Sequence, residues 1–382
     1  RLARRLPGGS AAFTYANAAF GPGVGFIVAW SYWISCWTAN ATLAVAAISN
    51  LSVVAPRLGE KGPLAALLAI GFLWFFTLIN LTGVRRAGNT QVITLLLKLV
   101  PVIGAIGVAL WLLGTGEARV EGMAHTAPVS LSAISGAATL TLFALLGFES
   151  AAIVGDRVKD PERTIPRATL IAAAATGLLY LLSCTAVTLL LPVDTLQQAN
   201  AAYATFFGAL VSPMAGDVVA IFAAIAALGA LNGFVLLQGE IPRELAHRRL
   251  LPSLLGHDNR FGSPLAAQIL SSALASFVVY ANYSRGLAGL FTFMVLVTTS
   301  TAIILYVVGS LAALKLEHRG ELRVSPGFAA VTLVGAAYSC WAFYGAGLEA
   351  SLWSLAMTAA GLPIYFLMRR SAPAWREEAP IA

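Results

Sequence analysis

Residues 141–167 read TLFALLGFESAAIVGDRVKDPERTIPR, and they place one carboxylate, Glu149, inside a run that is otherwise apolar from about Ile134 to Gly155. At the centre of a bilayer an aspartate costs about 2.5–3.5 kcal/mol on insertion scales, and glutamate is similar in kind. Such a group is normally held by a solvated cavity or by a partner. Whether this run crosses a membrane therefore decides both the fold and the function.

Composition says that it does. Of the 382 residues 58% are hydrophobic and only 11% charged, and the mean hydropathy is +0.81. These values lie outside the range of a soluble domain. A helix needs about 20 apolar residues to cross a hydrocarbon core ~30 Å thick. Ten such runs follow one another, centred near Cys36, Phe72, Gly104, Ala144, Leu179, Ile225, Ser272, Ala302, Ala336 and Ala356. Short polar connections, often marked by Pro or Gly, separate them. The pattern predicts an all-α integral membrane protein, with residues 1–24 as a cytoplasmic loop or short helix and 25–382 as one transmembrane domain.

Basic residues orient it. With the amino-terminal segment on the cytoplasmic side, 19 of the 24 Lys and Arg residues fall in cytoplasmic segments, as the positive-inside rule requires. Both ends of the chain are then cytoplasmic and the membrane is the inner one. The same asymmetry accounts for the isoelectric point near 9.5, so no nucleic-acid partner is needed. Cys36, Cys184 and Cys340 lie far apart in apolar runs and read as packing residues. His125, His247, His257 and His318 fall in connections, with no two at metal-ligand spacing, and predict no metal site. No GxxxxGK[ST] loop is present, so ATP-driven pumping is unsupported. An enzyme would need a nucleophile with a base, or a metal cluster, converging near one face, and the scattered histidines offer neither.

Polar residues inside the spans are the candidates for chemistry. In GFIVAWSYWISCWTANATLAV (25–45), Tyr32, Ser35, Cys36 and Asn40 fall at i, i+3, i+4 and i+8, with Leu43 continuing the stripe. That face is either helix-to-helix glue or the wall of a binding site. Lys98, three residues before Pro101, either snorkels to the interface, pairs with a carboxylate, or stands where another protein would hold a metal cation. Glu149 lies about seven residues, or roughly 10 Å, inside the end of its span. Beside it, Gly147 is a position where a helix can break and turn backbone groups towards a ligand. After the span, Asp160 and Pro161 suit a helix cap with proline at the first position, and Thr164 can cap again.

Three stretches carry a family resemblance: PGGSAAFTYANAAFGPGVGFIVAWSYWISCWTAN (7–40), GFESAAIVGDRVKDPERTIPRA (147–168) and RELAHRRLLPSLLGHDNRFGSP (243–264). They resemble the amino acid–polyamine–organocation (APC) transporters, in the bacterial antiporter and permease branch that includes arginine/agmatine exchangers. The likeness runs through essentially the whole chain in order. It implies a five-plus-five inverted repeat followed by two further helices, with alternating access around a midplane site. Family members have twelve spans, and the ten here look like the third to the twelfth. The opening at Arg1 rather than Met fits a chain whose earlier part, including a broken first helix that holds the substrate backbone, has been removed by processing or truncation.

Site roles follow from the resemblance alone. Tyr32, Ser35, Cys36 and Asn40 match substrate-facing positions, Phe143 and Leu146 match the gate and apolar wall of the broken sixth helix, and Gly147 its break. Glu149 matches a pH-linked carboxylate, while Lys98 is similar to an ammonium that substitutes for sodium in sodium-independent relatives. Phe143 and Phe234 stand where the arginine exchangers carry tryptophan, which holds cations better than phenylalanine does. Ile304 and Leu296 likewise stand where the arginine site has a tyrosine and a serine. The expectation is a sodium-independent secondary carrier of amino acids, an exchanger or proton-coupled permease without cofactors, in contact with lipid and able to form a homodimer. Neutral or broad specificity is favoured over cationic amino acids or polyamines. The rival reading is a non-transporting remnant or interaction protein that lacks the first two helices.

Overall fold

The computed structural model describes residues 11–60, 63–83, 87–117, 120, 130–147, 161–320 and 326–371. Helix accounts for nearly all of it: α1 (Ala11–Phe20), α2 (Pro22–Val54), α3 (Pro63–Leu81), α4 (Ala87–Thr115), α5 (Leu131–Ala144), α6 (Pro161–Leu190), α7 (Val193–Gln198), α8 (Ala202–Leu210), α9 (Pro213–His247), α10 (Leu265–Ala281), α11 (Gly286–His318), α12 (Pro326–Gly345), α13 (Gly347–Ala359) and α14 (Gly361–Ser371). Sequence chemistry fixes several of the starts. Pro22 and Pro213 open α2 and α9, where a missing N–H costs nothing. Ser130 and Ser212 cap α5 and α9 by accepting from Ala133 N at 3.1 Å and Ala215 N at 3.2 Å. α6 is described from Pro161 and runs through Thr164 as one helix; Asp160, the predicted cap, lies outside the described residues.

Among the described residues, eight segments are long and apolar enough to span a membrane. α5 and α10 are apolar but shorter, and they complete the correspondence with the ten predicted runs. The last run is interrupted at Ala360 between α13 and α14. Trp30 Nε1 donates to Met357 O at 3.0 Å, and Pro363 has no N–H to donate to a preceding carbonyl. A Cβ on Gly361 would also sit 2.7 Å from the Trp30 ring.

α2 is the axis of the assembly. Its apolar window is 67% buried and that of α11 61%, against 22% for α4 and 17% for α6. α9 and α11 pack along α2, α3 pairs with α10, α5 leans on α11 and α12, and α6 rests on α4. The faces of α3, α4, α6 and α12 that carry Leu67, Phe75, Leu110, Leu170, Leu181 and Val334 are exposed and suit hydrocarbon.

Buried polar contacts lock four of these helices together. Asn40 Nδ2 on α2 donates to Gln238 Oε1 on α9 at 2.8 Å, and Gln238 Nε2 donates to Ser272 Oγ on α10 at 2.9 Å. Ser272 Oγ lies 2.7 Å from Thr77 Oγ1 on α3. Trp33 Nε1 reaches both Ser271 Oγ, at 2.8 Å, and Gln238 O, at 3.1 Å. The third family stretch closes one end of the group: Asn259 Nδ2 donates to Leu81 O at 2.8 Å, Ser263 Oγ to Asn80 O at 2.9 Å, and Arg243 joins Glu240 and Asp258 at 2.9 and 2.6 Å.

Candidate functional site

A cavity of ≈ 170 Å³ lies where α2, α5, α6, α9 and α11 converge. Tyr32, Ser35, Ala39 and Leu43 line it from α2, Phe143, Ala144 and Leu146 from α5 and its last turn, Tyr180 from α6, Phe234 from α9, and Thr298 and Ala302 from α11. On α2 these four residues fall within roughly 80° of one another at about 100° per residue, a single narrow face.

Six of the residues singled out in the sequence meet here: Tyr32, Ser35, Leu43, Phe143, Leu146 and Phe234. Gly147 adjoins them, since a Cβ on it would touch Phe234 Cζ at 3.6 Å. Its φ of +106° is open to glycine and strained for other residues. α5 stops at Ala144, with Leu145 N bonding back to Leu142 O at 2.9 Å and Leu146 N to Phe143 O at 3.0 Å. The predicted helix break thus coincides with a tightened turn that delivers Leu146 and Gly147 to the cavity.

Cys36 and Asn40 are fully buried and do not line the cavity. They lie about 40° and 80° round α2 from Tyr32, and the Asn40 amide is taken by Gln238 at 2.8 Å. Ala39 joins Ser35 and Leu43 on the wall instead. Lys98 sits on α4, exposed, and is not among the lining residues. Glu149 lies outside the described residues. Tyr180 and Thr298 were not anticipated. Thr298 could have been found from the run TTST (298–301) in an apolar span; Tyr180 carries no sequence signal.

The hydroxyl chemistry is directional. Ser35 Oγ donates to Tyr32 O at 2.7 Å, and Thr42 Oγ1 donates to Thr38 O at 2.9 Å. Thr42 has thus spent its proton, so in its 3.5 Å contact with Thr298 the latter is the donor. Ser35 and Thr298 consequently offer oxygen lone pairs, which suit a ligand that brings N–H groups. One turn beyond Tyr180, Ser183 Oγ meets Tyr203 Oη of α8 at 2.8 Å, fastening α8 to α6. Burial pushes the Tyr203 phenol up to about 12, so it stays neutral.

Known proteins resemble the chain over most of its length. The putrescine transporter PotE of Escherichia coli (strain K12) is 26% identical over 93% of this chain and 81% of its own length. The arginine/ornithine antiporter ArcD1 of Lactococcus lactis is 26% identical over 93% of this chain and 71% of its own. The cadaverine/lysine antiporter of Escherichia coli (strain K12) is 28% identical over 75% and 65%. The family model described as amino acid permease matches residues 1–364. Spanning helices, a cavity at their convergence and that match together place the chain in the amino acid permease family of the APC superfamily, as a multi-pass membrane protein.

Proposed function

We propose that the protein is a secondary carrier of amino acids with neutral side chains, working by alternating access around the cavity between α2, α5, α6, α9 and α11. The observation that carries this reading is the chemistry of the wall. Phe143, Phe234, Leu43, Leu146, Ala39 and Ala302 form an apolar lining beside the acceptor oxygens of Ser35 and Thr298, and the described lining residues include no carboxylate. The acceptors suit an α-ammonium group and the apolar wall suits a hydrocarbon side chain. A second fixed positive charge would find no counter-ion among those residues and would be costly to desolvate. Sodium independence rests on the family resemblance, in which Lys98 stands where an ammonium substitutes for sodium. Exchange or proton coupling at Glu149, and both ends of the chain on the cytoplasmic side of the inner membrane, complete the proposal.

Cationic amino acids or polyamines are the second reading, favoured by the names of the relatives and by the aromatic rings at the cavity, which attract cations. One competition series separates the two. Protein expressed from its complete coding sequence is reconstituted, and uptake of labelled leucine is challenged with leucine, methionine, serine, arginine, lysine and putrescine, in sodium and in choline buffer. Neutral competitors should dominate equally in both buffers. Dominant competition by arginine, lysine or putrescine would replace the first reading with the second.

A further inference from the structure

α5 is the element that brings Phe143, Ala144 and Leu146 to the cavity, yet most of its own surface is open: Leu131, Ile134 and Leu140 are exposed. What fixes its position is concentrated on one side, against α12. Thr139 Oγ1 contacts Ala342 O at 2.6 Å, Trp341 Nε1 donates to Ser135 Oγ at 2.8 Å, and Tyr338 Oη donates to Ala138 O at 3.2 Å. Ser135 and Thr139 are buried, as is Ala342. At Gly345 the two backbones come so close that a Cβ would run into the Ser135 carbonyl and lie 2.6 Å from Thr139 Oγ1. Two of these bonds run from a side chain to the opposite backbone, one joins two side chains, and Gly345 brings the backbones together. Such contacts fix translation along the helix as well as separation, unlike apolar packing, which tolerates sliding.

The geometry points to a clasp: we propose that Ser135 and Thr139 of α5, held by Trp341, Ala342 and Gly345 of α12 with Tyr338 on the Ala138 carbonyl between them, are positioning residues that set the cavity wall. The route is short. Ser135, Thr139 and Phe143 recur at i, i+4 and i+8, so they share one stripe of α5, and Phe143 lies about 6 Å along the helix beyond Thr139. Past Phe143 the chain tightens and reaches Gly147, which meets Phe234. α5 is thus anchored at one end by α12 and abuts α9 at the other. A shift at the clasp is delivered to the residues that touch the ligand, although none of the clasp residues lines the cavity. α12 has an exposed face, with Val331, Val334 and Tyr344, so the clasp also links the site to whatever packs on that face in the membrane.

This inference rests on the reading of the cavity as the substrate site, and one experiment keeps the two apart. Equilibrium binding of labelled leucine is measured on the purified protein, expressed from its complete coding sequence, for Thr139→Val, Thr139→Ser, Phe143→Ala and the double variant Thr139→Val/Phe143→Ala. Thr139→Val keeps the volume and removes the hydroxyl, and it should weaken binding about tenfold, the scale of one interhelical hydrogen bond of the stronger kind. Thr139→Ser should bind nearly as the parent does. In the Phe143→Ala background the Thr139→Val effect should shrink severalfold, because it acts through Phe143. A Thr139→Val protein that melts earlier but binds leucine as the parent does, or whose effect is undiminished beside Phe143→Ala, overturns the clasp alone. If leucine fails to bind the parent, or Phe143→Ala leaves binding intact, the cavity reading falls and the clasp falls with it. Should Thr139→Val not reach the membrane, Tyr338→Phe removes a contact at a partly exposed position and is judged by the same outcomes.

Discussion

Replacing Gln238 with leucine removes the centre of the polar group that joins α2, α9 and α10. Gln238 is fully buried, accepts from Asn40 Nδ2 at 2.8 Å and donates to Ser272 Oγ at 2.9 Å. Leucine has a similar volume and neither capacity. Ser272 keeps its contact with Thr77 at 2.7 Å. Asn40 fares worse, because its Oδ1 has no partner among the described residues and its Nδ2 would then lose the one across the helix interface. Two interhelical bonds at about 0.6 kcal/mol each, the average in a membrane, and an orphaned buried donor at about 1–3 kcal/mol give a loss of roughly 2–4 kcal/mol. Asn40→Leu alone strands Gln238 Oε1 and should cost about 1–2 kcal/mol. The double variant has no orphan, so its loss should be about 1–2 kcal/mol smaller than the sum of the two single losses. Denaturant unfolding in mixed micelles measures all four corners of this cycle. Additive singles would refute the idea that the two amides hold each other.

Other expectations follow from single positions. Glu149→Gln should flatten the pH dependence of transport while sparing part of substrate binding; an unchanged profile would remove Glu149 from the coupling. Gly147→Ala should weaken leucine binding through backbone strain of about 1–2 kcal/mol, since a Cβ there meets Phe234 only at 3.6 Å, an ordinary contact. Two glycines should behave oppositely in a thermal melt. Gly216→Ala drives a Cβ to 2.8 Å from Ala204 O and 2.9 Å from Gly208 Cα and should destabilise, whereas Gly107→Ala meets nothing within 4 Å and should be neutral or stabilising.

Hydropathy made the spans legible, because water-to-hydrocarbon transfer acts on each run by itself. It placed α10, but centred the preceding acid-bearing run near Ala144, which is the last residue of α5. The end of α5 depends on the turn at Leu145–Gly147, and only the glycine hinted at that. The α2 stripe was readable to within one position. Polar residues attract attention, so Cys36 and Asn40 were chosen with Ser35, although it is Ala39 that joins Ser35 and Leu43 on the face that meets the cavity. The deciding fact was the partner of Asn40, Gln238, which is 198 residues away in sequence. Tyr180 was invisible for a related reason: one tyrosine in an apolar helix becomes a lining residue only when four other helices are placed around it. The clasp on α5 was hidden too, since serine and threonine in membrane helices usually bond their own backbone, as Ser300 and Thr301 do here.

The central claim is that the cavity receives the substrate side chain, and narrowing it tests this most directly. Ala39 is buried on the α2 face of the cavity, so Ala39→Leu adds three carbons to a space of ≈ 170 Å³. Uptake of labelled serine by the parent and the variant is measured against leucine, methionine, alanine and serine as competitors. The account predicts that leucine and methionine lose potency on the order of tenfold relative to alanine and serine, as expected when an apolar pocket loses room for a few methylenes. An unchanged ranking, or an equal loss for all four, would contradict it.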